Sequence, residues 1–106
     1  MYADEKRQGE VTLEPWRQLL LDAADVMERR GHCVGLYDKY GRVCAIGAMN
    51  VAQYGKPDPW PHDSVLSNVG RLARDAMERQ VGIIAVWSDD NTGEEVVATM
   101  RKVARE

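Results

Sequence analysis

A chain of 106 residues, 44% hydrophobic and 29% charged, has the size and balance of one soluble globular domain, and the absence of Phe leaves an aliphatic core. The formal charge is −3, with 14 basic residues scattered among 17 acidic ones, which excludes the concentrated basic face that general nucleic-acid binding needs. Two cysteines are too few for a disulfide framework, and no apolar run reaches the ~20 residues that span a bilayer, so the expected setting is the cytoplasm, with reduced thiols and no membrane.

Met1 to Glu10 is polar, without periodicity and without a secretory apolar region. Residues 1–11 therefore read as a mobile tail and 12–106 as a single domain. Thr12 or Glu14 offers a helix start, with Pro15 in the first turn where its missing N–H costs little. Trp16, Leu19, Leu20, Ala23, Val26 and Met27 then recur at steps of three and four, one face of a helix. Arg29 and Arg30 suit the negative end of the dipole, and Gly31 suits a left-handed cap.

His32 to Arg42 is turn-rich and fits either a tight hairpin or an irregular loop, Gly41 supplying a positive φ. Val43 to Tyr54 returns to helical spacing, with Val43, Ile46 or Gly47, Val51 and Tyr54 as inward candidates and Gly55 as the stop. Lys56-Pro57-Asp58-Pro59-Trp60-Pro61-His62 is a surface loop, because its prolines remove donors and force extended neighbours. Asp63 or Ser64 caps the next helix, whose stripe is Val65, Val69, Leu72, Ala73, Ala76 and Met77.

Val81 to Trp87 is a continuous apolar run that suits a buried strand or a short buried helix, and periodicity does not separate the two. Thr92-Gly93-Glu94-Glu95 is a capping box opening a last helix that buries Val96, Val97, Met100, Val103 and Ala104. The expected fold is mainly α: a compact domain of about four helices with at most a small β-hairpin, the alternative being α+β.

The pattern Gly31-x-x-x-Gly35, then Gly41-Arg42-Val43-Cys44-Ala45-Ile46-Gly47-Ala48 with Ala52, then Trp87-Ser88-Asp89 and Thr92-x-Glu94-Glu95-Val96 resembles a group of small uncharacterised domains from actinobacteria and their phages. The resemblance covers Leu13 to Ala104. This chain carries His32 where the pattern has Trp, and Ser88 where it has Asn. No activity is assigned to that group, so the resemblance implies fold and origin, and no reaction.

Two readings compete for Cys44. Near the start of its helix, with His32, His62, Asp89 and Asn91 as polar groups that folding can bring to it, it has the makings of a Cys–His–Asp/Asn hydrolase or acyltransferase. Flanked by Val43, Ala45 and Ile46, it equally suits a small core position, where free cysteines mostly sit. His32, Cys33, Cys44 and His62 match no zinc-ligand spacing, and Asp89 to Glu95 fails the calcium-loop pattern, so no metal and no cofactor is expected. Trp60 in its loop, with Tyr54 and His62, forms a candidate protein-docking surface. The favoured expectation is a small cytosolic accessory or regulatory protein, phage-encoded, that docks a partner protein. The alternative is the cysteine enzyme, with Cys44 as nucleophile, His32 or His62 as base and Asp89 as orienting group. Oligomeric state is not legible.

Overall fold

The computed structural model describes residues 13–35, 38–39, 41–55 and 68–106. The expected tail, the proline loop with Trp60 and His62, and the cap at Asp63 or Ser64 lie outside them. The described residues form five helices and one strand pair: α1 Pro15–Arg30, β1 Asp38–Lys39, β2 Arg42–Val43, α2 Ala45–Tyr54, α3 Asn68–Val81, α4 Ile84–Asp89 and α5 Gly93–Arg105. The domain is mainly α, with one helix more than the sequence pattern resolves.

Helix α1 is the organising rod, packing against α5, α2 and α3. Its stripe is realised: Leu19, Leu20, Ala23, Ala24, Val26 and Met27 are buried, and Trp16 packs at the edge of the core. Pro15 occupies the first turn, where no intrahelical N–H bond is lost. Arg17 sits over the Trp16 ring, 4.4 Å from its centroid, and its Nη1 donates to the Ala104 carbonyl at 3.1 Å. A cation at the C-terminal end of α5 satisfies a carbonyl that the helix cannot.

At the other end of α1 the outcome differs from the expected left-handed cap. Gly31 has φ 93° and ψ 167°, so the chain leaves the helix extended. The reason is pairing. The Gly31 carbonyl accepts from Val43 N–H at 2.9 Å, and the Val43 carbonyl accepts from Cys33 N–H at 3.0 Å. β2 thus lies between this segment and β1, whose antiparallel register pairs Asp38 with Val43 and Lys39 with Arg42. Of the two forms expected for this stretch the hairpin is the one formed, with Gly41 at φ 84°.

α2 starts at Ala45 rather than Val43, because Val43 belongs to the strand and Cys44 is the N-cap. Its buried positions are Ala45, Gly47, Ala48, Met49 and Asn50, while Ile46, Val51 and Tyr54 are half-buried. α2 packs against α1, and small residues among its buried positions favour a close approach of helices. In α3, Ala73, Ala76 and Met77 are buried as expected, but Leu72 is 51% exposed.

The apolar run Val81 to Trp87 is neither a strand nor fully buried. Gly82, with φ 80°, turns the chain out of α3, and α4 begins at Ile84. Within α4 only Ile84 and Ser88, one turn apart, are buried. The capping box forms: Glu95 N–H donates to Thr92 Oγ1 at 3.1 Å and Thr92 N–H donates to Glu95 Oε1 at 2.9 Å. No described helix is long and apolar enough to cross a membrane.

Candidate functional site

The polar residues of the midsection meet where the segment after α1 crosses α4 and the start of α2. Ser88 is fully buried, and its Oγ accepts from Ala45 N–H at 3.0 Å. His32 Nε2 lies 3.2 Å from the same oxygen. A hydroxyl with one lone pair filled by Ala45 still has a proton to give to the ring and a lone pair to take one from it. One side chain therefore joins three segments: the stretch after α1, the first turn of α2, and α4.

The neighbouring groups are committed to backbone. Asp89 Oδ1 accepts from Gly35 N–H at 2.9 Å, and Asn91 Nδ2 donates to the Trp87 carbonyl at 2.7 Å, closing the end of α4. Cys33 Sγ donates to the Arg42 carbonyl at 3.5 Å. Cys44, 6% exposed, caps α2 by accepting from Gly47 N–H at 3.4 Å. Burial pushes the Cys44 thiol above its ordinary pKa; the Gly47 N–H opposes that shift, and the nearby charge of Asp89 reinforces it.

Of the residues named from sequence, His32, Cys44 and Asp89 thus fall in one neighbourhood. The hydrogen bonds there join His32 and Ser88, Gly35 and Asp89, and Gly47 and Cys44. His62 and Trp60 are outside the described residues. Tyr54 lines a groove of about 480 Å³ with Pro15, Leu19, Ala52 and Val69. Among the described residues no three His, Cys, Asp or Glu side chains gather as a metal site. His32 and Ser88, far apart in the sequence, are hydrogen-bonded to each other.

Sequence reasoning did not single out the groove beside this cluster. It has a volume of about 620 Å³ and runs between the end of α1 and the start of α5. Met27 and Val97 form its floor, Gly31 and Gly93 its bare walls, and His32, Glu28, Glu94 and Arg101 its rim. A Cβ on Gly93 would come within 2.8 Å of His32 Cβ, so the close crossing of α5 over His32 requires glycine there. Arg101 spans the two helices: Nη1 and Nη2 donate to Glu28 at 3.0 and 2.8 Å, and Nη2 also reaches Asp25 at 2.9 Å. A planar guanidinium suits this two-pronged grip.

The Arg101 hydrogen bond, then its charge, holds the Glu28 carboxyl below its ordinary pKa. A carboxylate lowered in the folded state stabilises the fold above its ordinary pKa, and that contribution disappears as pH falls through the folded value. Urea unfolding of the native chain and of Glu28→Gln should accordingly differ more near pH 7 than near pH 3. A gap that stays constant with pH would show that the pair contributes nothing through ionisation.

Comparison with curated proteins and with solved structures finds no match. A family model, described as a family of unknown function (DUF6197), matches residues 11–106, nearly the whole chain. The protein is therefore a member of the DUF6197 family, a family of small domains to which no activity is assigned.

Proposed function

We propose that this domain is a small accessory or regulatory protein that works by docking a partner protein, encoded by a phage or its actinobacterial host and acting in the cytoplasm. The observation that carries the reading is the outer face of α4. Ile83 is 71% exposed and Val86 is 56% exposed. Spacing of three places Ile83, Val86 and Asp89 along one side of the helix. The Gly35–Asp89 hydrogen bond brings Val34, itself 57% exposed, to the far end of that line.

Single exposed aliphatics are ordinary, but Ile83 at the N-cap of α4, Val86 within it and Val34 beside its end together make the pattern of a contact surface. The buried groups support the same reading. Ser88 is inaccessible, Cys44 is nearly so, and burial pushes the Cys44 thiol above its ordinary pKa. Trp60, Tyr54 and His62 are, on sequence grounds alone, a further candidate set for contact with a partner protein.

The test is affinity capture with the tagged native chain and with an Ile83→Asp, Val86→Asp double variant. Both side chains point to solvent, so the helical circular dichroism should be unchanged. Capture of the partner should drop at least about tenfold, whereas Leu72→Asp, on the exposed side of α3, should capture normally. Equal capture by the double variant, or no protein specifically retained by the native chain, would remove the basis for this reading.

A further inference from the structure

We infer that the groove between α1 and α5 is a second binding site, one that takes a peptide segment carrying an apolar side chain beside an arginine or lysine. The apolar half of that recognition comes from the floor. Met27 and Val97 are 2% and 7% exposed, and exposed Ala98 continues the surface outward. Gly31 and Gly93 line the space without side chains, and neither position is open to change, since a Cβ on Gly31 would meet the Arg42 side chain and one on Gly93 would clash with His32. Gly31 has φ 93°, and Gly93 lies against His32. The gap of about 620 Å³ is thus built into the crossing of the two helices, and it exceeds what one aliphatic side chain occupies.

The cationic half comes from the balance of charge at the rim. The guanidinium of Arg101 is held by two carboxylates, Glu28 and Asp25, which leaves that trio with an excess of negative charge. Exposed Glu94 adds another carboxylate, and no ion pair engages it among the described residues. The first-turn amides of α5 oppose a cation, but Glu95, folded back in the capping box, already answers that end of the helix. Arg29 and Arg30 end α1 without lining the groove. The exposed Glu94 carboxylate beside an apolar floor favours a guanidinium or ammonium next to an aliphatic side chain, and disfavours an acidic one.

The site is separate from the α4 face, and small probes test it without a partner, so either proposal can fail alone. Amide spectra of the isotopically labelled full chain would be followed during titration with acetyl-Leu-Arg-amide, acetyl-Leu-Gln-amide and acetyl-Leu-Glu-amide. The Leu-Arg peptide should shift the amides of Gly31, Gly93, Glu94 and Ala98 saturably, with a millimolar dissociation constant about threefold to tenfold below that of the Gln peptide. The Glu peptide should bind weakest. Glu94→Gln, an exposed change that leaves the floor intact, should narrow the Arg-over-Gln preference, and Ala98→Tyr should block all three peptides. Equal affinities, preference for the Glu peptide, or no saturable shift at about 10 mM would overturn the inference.

Discussion

Replacing Leu20 by alanine should destabilise the domain by about 2–5 kcal/mol, the largest loss expected from one side-chain truncation here. Leu20 is fully buried on α1, the helix that contacts α5, α2 and α3, so no single neighbour can collapse into the space. The loss combines removed apolar burial with an unfilled cavity. Net stabilities of small domains run to only about 5–15 kcal/mol, so this one change would remove a large share of the total. Denaturant unfolding should show a lower midpoint with an unchanged slope. A loss under about 1 kcal/mol would mean that α1 is not the rod around which the others pack.

Ser88→Ala should cost about 1–3 kcal/mol, although it removes only one oxygen. The Ala45 N–H would keep its burial and lose its acceptor, and His32 would lose the partner of its Nε2. Deuterium exchange at the Ala45 amide should accelerate by more than the global loss alone explains. In a double-mutant cycle, His32→Ala and Ser88→Ala should couple by about 0.5–2 kcal/mol, because both act through one hydroxyl. Additive losses would show that the His32–Ser88 contact contributes nothing.

What the sequence made legible was local. The stripe of α1, the Thr92–Glu95 box and the positive φ at Gly41 each depend on residues within a few positions, and all three form. What it hid was set from far away. The ψ of Gly31 is fixed by pairing with Val43, and the start of α2 by that same strand. Ser88 bonds to residues 56 and 43 positions distant, which leaves no periodic trace in the chain. The run Val81 to Trp87 carries no period, so neither its helical form nor the exposure of Ile83 and Val86 was readable. Leu72 fits the helical stripe by spacing yet faces out, because no element covers that edge of α3 among the described residues.

The groove was illegible for a related reason. Its floor comes from core stripes of two helices, and its walls are glycines whose emptiness means something only once α5 crosses His32. Gly93 reads in sequence as part of a capping box and nothing more. Arg101 lies more than 70 positions from Glu28 and Asp25, so nothing local in the chain shows that together they lace the first helix to the last.

The account turns on the midsection being scaffold, with its imidazole and thiols holding segments together while the surfaces outside do the binding. The direct measurement is the rate at which iodoacetamide modifies Cys44 in the folded chain, with Cys33→Ser removing the other thiol, followed across pH. The account predicts modification far slower than for a free thiol near pH 7, rising to the free rate only when the chain is unfolded, and an apparent pKa above the usual ~8.5. Rapid, stoichiometric alkylation of the folded protein with an apparent pKa well below that value would contradict it, and would point instead to Cys44 as an activated nucleophile.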